Sequence, residues 1–274
     1  MKSVLEFKAR KGKGRISMST AYAHWEAKFL AASPVDCVLV GDSVATVVDG
    51  EPTTFAATPE IMARHTAAVS RGLGGIDGQK LLIADFPFLA ARKGVVPAVE
   101  CAALLMRAGA HAVKIEGIDG HEDVVRHLVE SGVPVMVHLG LTPQAVNGLG
   151  GYRVQGKTEA DIAALLRQAR AAESAGSFGL LLECIPAAVA REITAAVAIP
   201  AIGIGAGPHT DGQVLVFHDL LGLNPGFSAK FVREFADGSK CVTDGLASFA
   251  AAVTDGSFPS NKESYGTMIS APQD

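Results

Sequence analysis

Short apolar runs rich in Val, Ile and Leu alternate along most of the chain with longer, Ala-rich stretches of helical spacing. The runs at 15–20, 36–41, 80–85, 112–116, 134–139, 178–184, 200–205 and 213–217 read as strands. They are apolar nearly throughout, as expected of parallel strands covered on both faces. Segments 58–71, 97–109, 120–132, 158–176 and 186–198 read as helices. Thr58 is a natural N-cap followed by Pro59 at the first helical position. Gly109, Gly132 and Gly176 stand where helices end and the next β-branched run begins. About eight strands and seven or eight helices over roughly 250 residues predict an α/β fold, a (β/α)8 TIM barrel. The rival is an open doubly wound sheet, which would not distribute polar residues as this sequence does.

No break in composition marks a second domain, so one barrel over 1–258 is expected, with a loose tail at 259–274 rich in Ser, Pro, Asn, Lys and Gln. Of 274 residues, 49% are hydrophobic, only 19% are charged and 30 are Gly, the balance of a compact scaffold with a sizeable core. A formal charge of −4 provides no basic field, which argues against nucleic acid or an acidic membrane surface as partner. Cys37, Cys101, Cys184 and Cys241 are scattered without a CxxC pair, against a zinc cluster or disulfide framework and in favour of a reducing cytoplasm. The first residues are charged and lack the apolar core of a secretory leader. No apolar run approaches the ~20 residues of a membrane span.

The chemistry is concentrated at the ends of the apolar runs. Five successive strands finish on ionisable residues: Asp42 in Val-Gly-Asp-Ser, Asp85 in Asp-Phe-Pro-Phe, Glu116 in Val-Lys-Ile-Glu-Gly, His138 in Val-His-Leu-Gly and Glu183 in Leu-Glu-Cys. In a (β/α)8 barrel those ends converge on one face, where active sites sit. Any one alone reads as a turn former, a helix cap or a satisfied core histidine; five in succession predict a site. Carboxylates ~5 Å apart at an effective dielectric of ~20 repel by about 3 kcal/mol per pair. Protonation, a cation, or an ion-pair network through Lys114 can relieve that repulsion. An all-oxygen set suits a hard ion such as Mg²⁺ better than zinc. A Mg²⁺ ion with open positions can chelate a 2-oxo acid and stabilise its enolate, with Lys114 and His138 near the oxyanion and Glu183, outside the metal triad, as general acid/base. His65, His111, His127 and His218 show no ligand spacing and are given no catalytic role. The turn Gly203-Ile204-Gly205-Ala206-Gly207 fits a phosphate cradle or close packing at a barrel rim about equally.

Several blocks together resemble the ketopantoate hydroxymethyltransferase family: Gly41-Asp42-Ser43, Asp85-Phe86-Pro87-Phe88, Val113-Lys114-Ile115-Glu116-Gly117, His138-Leu139-Gly140-Leu141-Thr142-Pro143-Gln144, Gly150-Gly151-Tyr152-Arg153-Val154-Gln155-Gly156-Lys157, Leu182-Glu183-Cys184 and Asp211-Gly212-Gln213. The resemblance runs from about residue 16 to 235. It implies a TIM-barrel transferase that moves a hydroxymethyl group from 5,10-methylenetetrahydrofolate to 3-methyl-2-oxobutanoate, giving 2-dehydropantoate for pantothenate biosynthesis. It further implies one divalent ion, Mg²⁺, per subunit, a cytoplasmic location and a homo-oligomer, commonly a decamer. Residue by residue, Asp42, Asp85 and Glu116 match the metal ligands. Ser43, Lys114 and His138, with Asp42 and Asp85, match the substrate-binding set, and Glu183 matches the catalytic proton-transfer carboxylate.

The chain departs from the family pattern at Tyr22-Ala23-His24, at Thr54-Phe55-Ala56-Ala57-Thr58, at Val137, at Leu89-Ala90 and at Thr210. Those changes keep two alternatives in view: a divergent Mg-dependent 2-oxo acid lyase or aldolase of the phosphoenolpyruvate mutase/isocitrate lyase type, and a non-catalytic binding barrel.

Overall fold

Eight parallel strands in sequential order close into a barrel, the last pairing with the first. The computed structural model describes residues 1–75, 77–78 and 80–266. Helix α1 (Val4–Ala9) precedes β1 (Ile16–Thr20), α2 (His24–Ala32), β2 (Cys37–Val40), α3 (Val44–Val47), α4 (Pro59–Leu73) and β3 (Leu81–Asp85). Then come α5 (Val95–Arg107), β4 (Ala112–Glu116), α6 (Glu122–Glu130), β5 (Val135–Gly140), α7 (Glu159–Ser174) and β6 (Gly179–Glu183). Helix α8 (Ala187–Ala196), β7 (Ala201–Ile204), β8 (Gly212–Leu215), α9 (Phe217–Leu220) and α10 (Gly238–Asp255) complete the order.

The chain divides into two compact units. Among the described residues, one comprises those of 1–217 and 228–232 and contains the barrel; the other comprises 218–227 and 233–266. Within the second unit, α10 buries none of its residues, and Val242, Leu246, Phe249 and Val253 form an exposed apolar row along it. The last eight residues of the expected tail, 267–274, lie outside the described residues. No helix among the described residues is long and apolar enough to cross a membrane.

Local signals place the helices. Thr58 Oγ1 accepts the Ile61 N–H with Pro59 at the first helical position, as expected. Thr158 and Asp161 form a reciprocal capping box on α7. Helix α5 exits through Gly109 at φ 104°, where a Cβ would meet Ser70 Oγ. Helix α2 carries no side-chain cap at Ala23. The buried Glu26 carboxylate reaches back instead to the N–H groups of Tyr22 (2.6 Å) and Ala23 (3.1 Å).

The strand bounds fall within one residue of expectation, except that β8 ends two residues early; just past the ends of β2 and β8 a backbone N–H turns to a side-chain partner. Strand β2 stops at Val40, and the Asp42 N–H donates to Asp85 Oδ2 at 3.0 Å. Strand β8 stops at Leu215, and the Phe217 N–H donates to Thr20 Oγ1 at 3.0 Å as α9 begins.

The period of two along each strand splits the barrel interior into an apolar and a polar end. Ile16, Met18, Cys37, Leu39, Leu81, Ile83, Ala112, Met136, Leu181, Ile202 and Val214 form one buried cluster with Phe7 and Phe178. The same parity continued toward the C-terminal ends reaches Asp85 on β3, Lys114 and Glu116 on β4, His138 on β5 and Glu183 on β6. Phe7 of α1 plugs the opposite end, meeting Phe178 edge to face at 5.2 Å, and the Leu81 N–H at the start of β3 donates to Met1 O.

Candidate active site

Strand register sets the neighbours. Asp85 pairs with Lys114 across β3–β4, Glu116 with His138 across β4–β5, and Gly140 with Glu183 across β5–β6. Asp42, Asp85, Lys114 and His138 are all at 4% exposure or less. Burial of that much charge is tolerable only where the charges meet partners.

The partners form a chain. Lys114 Nζ lies 2.9 Å from Asp85 Oδ1 and 3.4 Å from His138 Nδ1. His138 stands between two carboxylates, with Nδ1 3.4 Å from Glu116 Oε1 and Nε2 3.3 Å from Glu183 Oε2. Nδ1 cannot accept from Lys114 and donate toward Glu116 at once. Burial and the Lys114 charge oppose protonation of His138, but Glu116 and Glu183 outweigh them and raise its pKa to about 9. The imidazolium form, turned toward both carboxylates, is therefore the one the site favours.

The acidic groups respond as a crowded set. Burial, then the Asp85 and Glu116 charges, push Asp42 up to about 8. Burial also raises Asp85, partly opposed by Lys114. Glu116 goes the other way: burial works against its anion, but His138, Lys114 and the Gln144 N–H hold its pKa low. Lys114 is kept charged against burial by Asp85, Glu116 and Asp42.

Ser43 Oγ lies 2.8 Å from the hydroxyl of the buried Tyr22. The Tyr22 carbonyl in turn lies 2.6 Å from His65 Nδ1, so His65 holds backbone beside the site. Tyr152, 58% exposed, has its hydroxyl pKa raised by partial burial and by the charges of Asp42, Glu183 and Glu116. Phe55 and Phe88 stack at 4.3 Å, from the loops after β2 and β3.

All seven candidate residues of the sequence belong to this mouth. Two more are not singled out by the sequence: Gln144, which ends a family-like block, and Tyr22, in a segment that departs from the family pattern. Their roles become visible only where the fold brings Tyr22 to Ser43 and Gln144 to Asp42. At the glycine-rich turn after β7, a Cβ on Gly205 would stand 3.1 Å from Cys184 Sγ and from the Phe231 ring, so close packing accounts for that glycine.

Among the described residues no three Asp, Glu, His or Cys side chains converge as a ready-made metal cage. However, Asp85 Oδ1 and Glu116 Oε1 are buried carboxylate oxygens whose partners here are the cationic Lys114 and His138, so this pocket already favours positive charge at those oxygens. With Asp42 destabilised as an anion by its neighbours, the set fits a hard cation that takes one or two carboxylates and completes its shell with water or substrate oxygens.

Comparison with known proteins bears on that geometry. The family model described as ketopantoate hydroxymethyltransferase matches residues 2–261. A 3-methyl-2-oxobutanoate hydroxymethyltransferase of Bdellovibrio bacteriovorus is 50% identical over 266 residues, 97% of this chain and 100% of that protein. One of the same name from Legionella pneumophila is 47% identical over 95% of this chain and 98% of its own length. Among solved structures, 2,3-dimethylmalate lyase, a PEP mutase/isocitrate lyase superfamily member, aligns at TM-score 0.60 and 16% identity, covering 97% of this chain and 92% of that one. Phosphonopyruvate hydrolase in complex with oxalate and Mg²⁺ aligns at TM-score 0.58 and 15% identity, covering 96% and 93%. At such identities these structures share the fold alone. End-to-end identity near one half is a different order of likeness, and with the matching family model it shows that this chain belongs to the ketopantoate hydroxymethyltransferase family.

Proposed function

We propose that the protein transfers a hydroxymethyl group from 5,10-methylenetetrahydrofolate to 3-methyl-2-oxobutanoate, forming 2-dehydropantoate and tetrahydrofolate with uptake of one water. The observation that carries this reading is the Lys114–Asp85 and Glu116–His138–Glu183 chain at the barrel mouth of a family member. Asp42, Asp85 and Glu116 are the residues to hold Mg²⁺, and the fold neighbour bound to oxalate and Mg²⁺ makes a 2-oxo acid chelate a sensible occupant. When bound, the cation supplies Lewis-acid charge at the substrate's keto oxygen. Lys114 donates toward the same oxygen or the carboxylate, the His138 imidazolium adds positive charge beside it while holding Glu116 and Glu183, and Ser43, held by Tyr22, adds a hydroxyl.

Glu183 takes the proton from C3. It is less buried than the other acids and anchored on one side by His138 Nε2, which leaves an oxygen for the substrate. One water hydrolyses the donor methylene, breaking both of its C–N bonds, placing a proton on each folate nitrogen and leaving the one-carbon unit at the aldehyde level. The carbanion, delocalised onto the keto oxygen, attacks that carbon to form the new C–C bond, and the proton held by Glu183 passes to the resulting alkoxide, giving the hydroxymethyl group.

Deuterium exchange at C3 of 3-methyl-2-oxobutanoate, followed by NMR with Mg²⁺ and with or without tetrahydrofolate, tests this. Exchange should occur and fall by about 10²–10⁴-fold in Glu183→Gln, the usual worth of a positioned general base, while Mg²⁺ affinity is retained. Substrate binding without exchange would leave a binding barrel, and cleavage of the substrate carbon skeleton would favour a lyase.

The protein works as a homo-oligomer in the cytoplasm on this reading. The exposed apolar row on α10 and the free state of all four cysteines support it. Light scattering should give a multiple of the monomer mass, with the family's decamer as the expected state.

A further inference from the structure

Gln144 takes no part in the proton transfer or the C–C bond formation, yet two of the three carboxylates are held through it. It lies in the short 3-10 turn Pro143–Ala145 after β5. Its Nε2 donates to Asp42 Oδ2 at 2.7 Å and to the Phe86 carbonyl at 2.8 Å. Its backbone N–H donates to Glu116 Oε2 at 3.0 Å. Both side-chain partners accept hydrogen bonds, so the nitrogen of the amide has to face them.

One residue thus reaches the exits of β2, β3 and β4 from the exit of β5. The Phe86 carbonyl fixes the amide, which fixes Asp42 Oδ2. The backbone N–H fixes Glu116 Oε2 and leaves the buried Oε1, 3.4 Å from His138 Nδ1, as the oxygen on the charged side of the cluster. Lys114 also restrains an acid, but it does so with a full positive charge beside the place a cation would occupy. Gln144 restrains two acids with neutral donors, lowering their mutual repulsion without competing for the site.

We propose that Gln144 is the positioning residue for the divalent cation, holding one oxygen each of Asp42 and Glu116 so that the other oxygens face the metal. This rests on the reading of the mouth as a Mg²⁺ site. Residues that orient metal ligands typically change affinity 10–100-fold when removed.

Calorimetric titration of Mg²⁺ into the full-length protein, with 3-methyl-2-oxobutanoate present, tests the assignment on the unmodified chain, Gln144→Met and Gln144→Ala. Methionine keeps the length and removes both side-chain donors. Both variants should bind Mg²⁺ about 10-fold or more weakly, with thermal unfolding of the metal-free protein shifted by only a few degrees. In turnover they should need more Mg²⁺, and saturating Mg²⁺ should restore most of kcat, which a general loss of structure would not allow. Affinities within about twofold of the unmodified protein would overturn the role. Absence of Mg²⁺ binding to the unmodified protein would instead overturn the cation reading, and this inference with it.

Discussion

Lys114 shows most directly how the site balances charge. It is the cation closest to Asp85, both side chains are nearly inaccessible, and Asp42 and Glu116 add to the field that keeps it protonated. Removing one partner of a buried pair leaves the other charge uncompensated, at a cost of about 3–5 kcal/mol. Lys114→Met should therefore destabilise the metal-free protein by roughly that amount in urea unfolding, and adding Asp85→Asn should recover most of the loss. A loss below about 1 kcal/mol in the single variant would show that the acids are relieved by protonation instead. The ionisable residues are readable in the sequence because each closes an apolar run, where a charge is conspicuous. Gln144 and Tyr22 are not, since an amide or phenol near a loop is unremarkable until the fold brings Gln144 to Asp42, 102 positions away, and Tyr22 to Ser43, 21 away.

Elements obey the same division between local and distant causes. Strands with continuous apolar runs and helices opened by Thr58 or Thr158 carry their signals in adjacent residues. Helix α2 does not, because its cap comes from Glu26 within the helix and its N-cap is alanine. The end of β8 escapes the sequence for a related reason: apolar character persists through Val216 and Phe217, and only the distant partner Thr20 draws the Phe217 N–H out of the ladder. Gly140 makes the element scale testable. Its φ is 98°, and a Cβ there would stand 2.3 Å from the Glu183 carbonyl and 2.7 Å from Ile185 Cγ2. Gly140→Ala should cost about 2–3 kcal/mol from strain and overpacking. Because the clash falls on the backbone that presents Glu183, C3 exchange should drop more than Mg²⁺ affinity. Equal loss of both would mean that the whole mouth, and not the β5–β6 edge, had moved.

Across the whole barrel, parity along the strands joins stability to chemistry while keeping them at opposite ends. Inward positions begin as Ile16, Leu81, Ala112 and Met136 and end as Asp85, Glu116 and His138, so one register places both the apolar plug and the charged mouth. A shift of one residue in any strand would turn its ionisable group outward and its core residue with it. The fold class is thus recoverable from apolar periodicity, and the candidate site from what interrupts that periodicity at the strand ends. The division also predicts independence. Phe7, fully buried against Phe178 at the closed end, can be truncated without touching any residue of the mouth. Phe7→Ala should cost about 3–5 kcal/mol in urea unfolding, as large-to-small changes at buried aromatic positions do. Mg²⁺ affinity measured under native conditions should stay within about twofold, because additivity holds between distant sites with no shared partners. If Mg²⁺ affinity instead fell in step with stability, the inward stack would be acting as one coupled column, with the packing at one end setting the spacing of the carboxylates at the other.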